Sequence, residues 1–328
     1  MRDALLVGLG QIGMGYDIDA SHLNAVPRQV KSHAKALFES GDFNLVAAVD
    51  IDASKRNTFS SIYNKPTYPS IARALENTEP ELVVIATPVE NHLLNFQEAI
   101  ACPSVSTVLC EKPLADDIVN AVLMHDLAMR ADVRLFINYI RRSTPGAWMV
   151  KEVLRDASSF SLDEGTAFYT GTLLNSGTHV IDLLQFWFDG DVRHAKAKSN
   201  RSASKATCEP IAELECDGAI IQVVKNLDSN FDINGIRLVG TLYTIEYALT
   251  NSQAVTITPR KEGLQDRLTQ PPFGLRNGSM DIGFRDYQAR VISHLADAMN
   301  GQPVSLATSA DAIKNLDLIQ SINRKELS

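Results

Sequence analysis

The segment LLNSGTHVIDLL, residues 173–184, places a histidine and an aspartate inside an otherwise apolar run. On a helix, which turns by about 100° per residue, Asn175, Thr178, His179 and Asp182 fall on one stripe, and apolar residues cover the other sides. A helix that is apolar on most sides is buried, so its polar stripe must face a partner or a cavity. The stripe is therefore either a satisfied polar part of the core or part of a site where histidine moves a proton near neutral pH.

A second chemical feature is the turn Glu111-Lys112-Pro113, which directly follows the apolar run VLC. A lysine at the carboxyl edge of a buried strand, followed by proline, is poorly placed for a purely solvated role. The alternative is an ordinary surface turn, and the residue types alone leave both interpretations open.

A glycine motif, GLGQIG, follows the first apolar run. Glycines at this spacing let the chain turn tightly and bring backbone N–H groups close to a pyrophosphate. A glycine turn without a ligand is the alternative. The residues predicted to contact a dinucleotide here are Gly8, Gly10, Gln11, Ile12 and Gly13.

Asp50 ends the second strand-like run, AAVD. A carboxylate at this place accepts hydrogen bonds from an adenosine ribose 2′-hydroxyl and repels a 2′-phosphate, so the sequence favours NAD over NADP. Lys55 and Arg56 follow closely and keep NADP binding open, whereas Asp52 is expected to cap a helix or form a turn.

The interval between Gly13 and Asp50 is 37 residues, longer than the ~20 residues of a simple dinucleotide-binding unit. The excess lies in residues 14–33, where glycine, proline and two aspartates make one continuous helix implausible. We predict an inserted loop or short turn near the phosphate site, with the helix resuming at about Ser32. A lid, a subunit contact and a neutral surface loop all remain open as its role.

Strand-like and helix-like segments alternate up to residue 138, which predicts an α/β domain with a doubly wound parallel sheet. Such sheets bind ligands at the carboxyl ends of their strands, and Thr87, Pro88 and His92 follow the fourth strand-like run. We predict that these three residues contact the cofactor, with a packing role open for His92. Mostly strand-like runs from residue 139 predict an α+β domain with a large, mostly antiparallel sheet, so the predicted domains are 1–138 and 139–328.

Composition restricts the class of protein. The net charge is −8, from 31 Lys and Arg against 39 Asp and Glu, which argues against nucleic acid or an anionic membrane as a partner. The four cysteines contain no C-x-x-C pair, so we predict neither a metal site nor disulfides. No apolar stretch reaches ~18 residues, and MRDALLVGLG shows no signal-like pattern, so we expect a soluble cytoplasmic protein.

The motifs GLGQIG, AAVD, ATPVENH, EKPLA, NYIRR and GTHVIDLL follow one another in this order. In that order they resemble the Gfo/Idh/MocA oxidoreductases, named for glucose-fructose oxidoreductase and inositol dehydrogenase. The resemblance implies an N-terminal Rossmann domain and a C-terminal domain whose open sheet usually forms a homodimer or homotetramer contact. It also implies NAD(P)-dependent oxidation or reduction of a sugar, cyclitol or sugar-nucleotide.

The resemblance also implies residue roles. In this family the EKP lysine lies beside the nicotinamide and the reacting hydroxyl, which implies that role for Lys112 and a cofactor contact for Glu111. The histidine of the later motif is the usual proton-transfer residue, which implies that role for His179. The start of a helix disfavours imidazolium and keeps such a ring a neutral base, while a lysine ammonium stabilises a developing alkoxide.

Four further residues are predicted to contact substrate or to support the site. Asn175 stands where many relatives have aspartate; it hydrogen-bonds hydroxyl or amide groups and keeps nucleotide-sugar and aminosugar substrates open. Arg141 and Arg142 follow the sixth strand-like run and either bind an anionic substrate group or form a salt bridge joining the domains. Asp182 contacts substrate, supports the histidine, or forms a cap or ion pair.

The motifs and the resemblance leave three functions open. The first is an NAD(P)-dependent dehydrogenase or reductase acting on a carbohydrate-type substrate. The second is NAD-assisted glycoside cleavage on the same fold, and the third is a non-enzymatic dinucleotide-sensing regulator. The presence of both Lys112 and His179 favours an enzyme, since a sensing protein could dispense with them.

Overall fold

A computed structural model describes most of the chain. The described residues are 1–18, 29–156, 160–198, 211–226, 235–249, 253–262, 264, 268–269, 275 and 278–324. The strands within them, in chain order, are β1 (Arg2–Val7), β2 (Phe43–Val49), β3 (Thr67–Tyr68), β4 (Leu82–Ile85), β5 (Thr107–Cys110), β6 (Arg134–Ile137), β7 (Leu162–Tyr169), β8 (Val192–Lys198), β9 (Ile211–Cys216), β10 (Ala219–Lys225), β11 (Gly235–Gly240), β12 (Tyr243–Ala248), β13 (Ala254–Pro259), β14 (Ser279–Asp281) and β15 (Ala307–Thr308). The α-helices are α1 (His33–Glu39), α2 (Ala53–Tyr63), α3 (Ile71–Leu75), α4 (His92–Ile100), α5 (Ile118–Ala131), α6 (Pro145–Arg155), α7 (Thr178–Trp187), α8 (Tyr287–Met299) and α9 (Ser309–Arg324).

The chain forms two compact units. Unit 1 contains Met1–Ser143 and Arg285–Ile313, and unit 2 contains Thr144–Phe284 and Lys314–Ser328. The sequence predicts a single cut after residue 138, whereas in the structure residues 285–313 return to unit 1. The reason is burial, because Val291, Ile292 and Leu295 on α8 lie in the same apolar core as β1 and β2. An amphipathic helix pattern does not say which sheet the helix will cover.

Unit 1 is built on a parallel sheet in the order β6-β5-β4-β1-β2-β3, with the short β15 antiparallel to β6. Strands β4 and β5 are buried along their whole length because helices cover both faces of the sheet. The strand order reverses direction between β1 and β4, and the carboxyl ends of these two strands form the switch point where such folds bind ligands. This arrangement confirms the predicted doubly wound sheet.

Unit 2 is built on a second sheet, in the order β14-β13-β12-β11-β7-β10-β9-β8. Its pairs are antiparallel except for β7 with β10, which confirms the predicted mostly antiparallel sheet. Helix α6 begins after the N-cap Thr144, with Pro145 at its first position, and the Trp187 indole N–H donates to the Ala147 carbonyl at 2.9 Å. This bond joins α7 to α6 within the core of unit 2.

The described residues contain no helix that is both long and apolar enough to cross a membrane. Across the same residues, no group of His, Cys, Asp and Glu side chains has the arrangement of a metal site.

Candidate functional site

The glycine turn follows β1 at the switch point of unit 1. Gly8 has a φ of +97°, and a Cβ on it would lie 2.5 Å from the Ala86 carbonyl oxygen. A Cβ on Gly13 would lie 2.1 Å from the Gly8 carbonyl oxygen. Around Gly10, by contrast, no described atom would lie within 4 Å of such a Cβ. Close packing of the chain therefore requires Gly8 and Gly13, whereas the backbone at Gly10 is open to the approach of a ligand.

The helix that starts at this turn is interrupted by the inserted segment. The His33 N–H donates to the Ile12 carbonyl at 3.0 Å, and the Ala34 N–H donates to the Gly13 carbonyl at 2.9 Å. These are the bonds that residues 16 and 17 would make in an uninterrupted helix. The insertion is therefore 17 residues long, and without it the 37-residue interval to Asp50 becomes the ~20 residues of a simple unit.

Asp17 closes the insertion at its base. Its carboxylate accepts from the Ser32 N–H at 2.7 Å, from the Ser32 hydroxyl at 2.6 Å and from the Lys31 N–H at 3.1 Å. Ser32 is in turn the N-cap of α1, which confirms that the helix resumes at about this residue. Part of the predicted loop, residues 19–28, lies outside the described residues.

Asp50 lies at the carboxyl end of β2 beside the glycine turn. Its carboxylate accepts from the Leu9 N–H at 2.7 Å and from the Asp52 N–H at 2.8 Å, and the Lys55 ammonium lies 3.9 Å away. Arg56 is directed elsewhere, because its guanidinium donates to the carbonyls of Asp50 and Ile51. Asp52 caps α2 by accepting from the Ser54 N–H, which confirms the predicted helix cap.

Two cavities flank the glycine turn. The larger has a volume of about 470 Å³ and is lined by residues that include Gly8, Gly10, Asp50, Lys55, Thr87 and Pro88. The smaller, about 370 Å³, is lined on the insertion side by Gln11, Met14 and Gly15, and Gly10 and Lys55 border both. The Ile12 side chain packs against the core of unit 1, so the predicted dinucleotide contact of this residue depends on its backbone.

Ser70 and Asn95 also line the larger cavity, and neither is among the site residues predicted from the sequence. Ser70 follows β3 and caps α3, so its place at a strand's carboxyl end was the signal that could have identified it. The Asn95 amide donates to the Thr87 hydroxyl at 2.8 Å, one helical turn after Asn91, which lines the same cavity.

His92 is buried and contacts the backbone after two neighbouring strands, β4 and β5. Its Nε2 lies 2.9 Å from the Thr87 carbonyl, and its Nδ1 lies 3.1 Å from the carbonyls of Pro113 and Leu114. The side chain is 1% exposed and is absent from the described lining of both cavities. The predicted cofactor contact is therefore replaced by a positioning contact between the turns that follow β4 and β5.

Glu111 and Lys112 follow β5, and the Lys112–Pro113 peptide is cis. Burial raises the pKa of Glu111, but the hydrogen bond and charge of His33, with hydrogen bonds from Asn138 and from the Lys112 N–H, outweigh it and lower that pKa overall. Burial, followed by a smaller effect of the Arg141 charge, lowers the pKa of Lys112, while Glu111 opposes the shift. A lysine with a lowered pKa at a strand's carboxyl end is a candidate for electrostatic or proton-transfer chemistry.

The two adjacent arginines have different surroundings. The Arg142 guanidinium is buried and lies 3.4 Å from the Asp311 carboxylate, so this residue forms an ion pair within unit 1. Arg141 is half-buried, and its charge acts on Lys112. Anion binding therefore stays a prediction for Arg141, whereas the ion pair of Arg142 indicates a structural role.

The helix that carries His179 is shorter than the sequence pattern indicates. Residues Leu173–Gly177 form a π-helical turn, and α7 begins only at Thr178. Asn175 therefore lies in the π-helical turn and not in α7. Asn175 is exposed and His179 is half-buried in the first turn of α7, as the sequence predicts for the histidine. Such π-helical turns are frequent at functional sites.

Asp182 lies inside unit 2 rather than on an open surface. Its side chain is buried, and its Oδ1 accepts from the Asn315 amide at 2.9 Å. A buried and hydrogen-bonded carboxylate stabilises the packing of α7 against α9, so the predicted substrate contact is not supported for this residue.

Comparison with known proteins finds a family model that matches the first part of the chain. A profile described as "Oxidoreductase family, NAD-binding Rossmann fold", that of Gfo/Idh/MocA, matches residues 4–139. Over these residues the chain is similar to that family.

Two relatives with named activities are similar to this chain. Glucose-6-phosphate 3-dehydrogenase of Bacillus subtilis is 22% identical over 194 residues, which are 52% of this chain and 54% of the relative. Inositol 2-dehydrogenase of Acidothermus cellulolyticus is 25% identical over 177 residues, which are 50% and 51%. The chain thus spans about half the length of these relatives.

A solved structure has the same fold over nearly the whole chain. The oxidoreductase from Agrobacterium radiobacter in complex with NAD⁺, L-tartaric acid and magnesium superimposes with a TM-score of 0.72 at 18% identity, over 98% of this chain and 95% of that chain. At this identity the likeness establishes the two-sheet fold of the protein.

Proposed function

We propose that this protein is an NAD-dependent oxidoreductase that transfers a hydride between nicotinamide and a hydroxyl-bearing carbon of a sugar, cyclitol or sugar-nucleotide. The observation that carries the proposal is the position of Lys112. This lysine, with its lowered pKa, follows β5 at the carboxyl edge of a sheet whose glycine turn is open at Gly10. The relatives named as glucose-6-phosphate and inositol dehydrogenases support the substrate class.

The residues of unit 1 fit a dinucleotide. A Cβ at Gly10 would fill space that is open in the turn, and the adjoining cavity of about 470 Å³ has a size typical of small-molecule sites. Asp50 is held at the cavity wall by the Leu9 and Asp52 N–H groups, so its charge opposes a 2′-phosphate. Because the Arg56 guanidinium is engaged with backbone carbonyls, Lys55 is the nearby cation that would favour NADP. We therefore propose NAD as the preferred cofactor.

The proposed chemistry divides between two side chains. NAD, when bound, supplies the acceptor for the hydride that leaves the substrate carbon as the carbonyl forms. His179 accepts the hydroxyl proton in oxidation and returns it in reduction, because imidazole is the side chain whose ordinary pKa lies closest to neutral pH. The Lys112 ammonium stabilises the negative charge that develops on the substrate oxygen.

Two residues narrow the proposed substrate. The exposed Asn175 offers an amide to a hydroxyl or N-acyl group, which suits a nucleotide sugar or an aminosugar. Arg141, whose charge acts on Lys112, suits a substrate that carries a carboxylate or phosphate.

We also propose that the open sheet of unit 2 associates with a second copy, in a homodimer or homotetramer.

The proposal is tested with a panel of neutral sugars, cyclitols, sugar acids, sugar phosphates and nucleotide sugars, each with NAD and with NADP. We expect NADH to accumulate with one substrate class and more slowly with NADP. Turnover of a glycoside without net NADH would instead indicate NAD-assisted cleavage. Binding of NAD without turnover of any compound would indicate a sensing protein.

A further inference from the structure

We propose that His33, held by Gln288, is a positioning residue. It holds the Glu111 carboxylate beside Lys112 and so orients the lysine. This inference rests on the proposed function of Lys112, and it assigns a role in the site to the first residue of α1.

Four side chains of unit 1 carry the inference, and three of them are buried. The His33 Nε2 lies 2.8 Å from the Glu111 Oε1, and the Gln288 Nε2 lies 2.7 Å from the His33 Nδ1. The Asn138 amide nitrogen closes this hydrogen-bonded network, since it lies 2.7 Å from the Glu111 Oε1 and 3.3 Å from the Gln288 Oε1. His33 and Gln288 are 0% exposed and Asn138 is 1% exposed, so water does not compete for these bonds.

Glu111 is the shared acceptor of this network. The His33 Nε2 donates to its carboxylate, and the Gln288 side-chain amide holds the other ring nitrogen, Nδ1. The two Asn138 amide hydrogens go to Glu111 and Gln288. Two buried donors on the Glu111 Oε1 hold this side chain in place.

Glu111 transmits this arrangement to Lys112 in two ways. Its Oε2 accepts from the Lys112 N–H at 3.2 Å, which fixes the backbone from which the lysine side chain starts. Its negative charge raises the pKa of Lys112 against the effects of burial and of Arg141. Tyr287 and Cys110 are the other titratable groups that interact with Glu111, and burial raises the pKa of both.

The position of His33 connects the glycine turn to this network. His33 is the residue whose N–H resumes the interrupted helix by donating to the Ile12 carbonyl, and its side chain reaches Glu111 on the far side of β4. One residue thus joins the start of the phosphate-binding helix to the turn that holds Lys112. A shift of 1 Å in a reacting group costs as much as about 100-fold in rate, so such a connection has kinetic consequences.

The test measures the pH dependence of acetylation at Lys112, quantified by mass spectrometry of the peptide that contains it, in the full-length protein. The variants are His33→Ala, His33→Gln and Glu111→Gln, with His125→Ala as the control. His125 is a half-buried histidine of unit 1 that is bonded to Ser309. Thermal unfolding of each variant is recorded beside the labelling. The labelling needs no substrate, so its result stands whether or not the proposed dehydrogenase activity is found.

We expect the labelling midpoint of Lys112 to move to lower pH in Glu111→Gln, because the negative charge that opposes loss of the lysine proton is removed. We expect it to move in the same direction in His33→Ala, because the carboxylate loses the contact that holds it beside Lys112. His33→Gln keeps an N–H toward Glu111 and should stay near the wild-type midpoint, as should His125→Ala. With the substrate found by the panel, His33→Ala should lower kcat about 10- to 100-fold with little change in KM for NAD.

A folded His33→Ala protein with the wild-type midpoint overturns the proposal. If His33→Ala does not fold, Gln288→Met removes the donor to the His33 Nδ1 while keeping the ring, and it should shift the midpoint in the same direction. An unshifted midpoint in folded Gln288→Met then overturns the proposal.

Discussion

The His33 Nε2 lies 2.8 Å from the Glu111 Oε1, although 78 positions of the chain separate the two residues. The contact joins the first residue of α1 to the turn after β5, and both belong to the parallel sheet unit. The glycine turn and the lysine turn are therefore joined by one hydrogen-bonded network. A change at either end is expected to affect the other.

Gly10 and Gly13 provide a matched pair of substitutions. Gly10→Ala should leave the free energy of unfolding nearly unchanged, because a Cβ there meets no described atom within 4 Å. It should weaken NAD binding tenfold or more, which is about 1.4 kcal/mol, because the methyl group occupies the space through which a pyrophosphate approaches. Equilibrium binding of NAD and urea unfolding measure the two effects.

Gly13→Ala should show the opposite balance. Its Cβ would lie 2.1 Å from the Gly8 carbonyl oxygen, so the turn must move and the protein should lose about 1–3 kcal/mol of stability or fail to fold. Equal losses of stability in Gly10→Ala and Gly13→Ala would contradict the assignment of Gly10 to the ligand.

Asp50→Ala should change the cofactor preference. Removal of the carboxylate takes away the acceptor for the ribose hydroxyl and leaves Lys55 nearby, so binding of NAD should weaken more than binding of NADP. The control is Asp52→Ala, which removes only the N-cap of α2 and should cost about 1 kcal/mol of stability without changing the preference. Equal weakening of both cofactors in Asp50→Ala would argue against the ribose contact.

Arg141→Gln should shift the alkaline side of the pH profile of kcat. The Arg141 charge lowers the pKa of Lys112, so its removal raises that pKa. If activity requires the ammonium form, activity is lost as pH rises through the pKa of Lys112. The pH profile of kcat should therefore extend to higher pH in this variant, opposite to the shift expected for His33→Ala.

The control for Arg141 is its neighbour. Arg142→Gln breaks the ion pair with Asp311 and should lower the free energy of unfolding by about 1–3 kcal/mol, with the alkaline limb of kcat unmoved. A profile that shifts equally in both variants would show that the effect is general and does not come from the Arg141 charge on Lys112.

Asp182 should behave as a structural residue. Asp182→Ala and Asn315→Ala each leave a buried polar partner unsatisfied and should cost about 1–3 kcal/mol of stability. Their costs should combine to less than the sum in the double variant, because both remove one bond. A large fall in kcat/KM with unchanged stability in Asp182→Ala would restore the substrate contact predicted from the sequence.

The sequence was sufficient for the features that depend on local pattern. The buried strands, the glycine turn, the cap at Asp52 and the resumption of the helix at Ser32 follow from hydrophobic periodicity, turn chemistry and capping. The inserted segment could be recognised from its length, since the interval to Asp50 is too long for a simple unit.

Features that depend on tertiary contacts could not be predicted in this way. His33 and Gln288 are 255 positions apart, and nothing in their local pattern indicates that they share a hydrogen bond. The difference between Arg141 and Arg142 depends on which of two adjacent side chains reaches Asp311. The π-helical turn that places Asn175 outside α7 is likewise not indicated by the apolar pattern of residues 173–184.

The most direct measurement of the central claim is the steady-state rate of NADH formation by Lys112→Ala and His179→Ala, with NAD affinity measured on the same samples. We expect each variant to lose about 100-fold or more of kcat while the dissociation constant for NAD stays near that of the wild type, as proton-transfer and electrostatic roles require. Wild-type turnover in either variant would contradict the proposed mechanism.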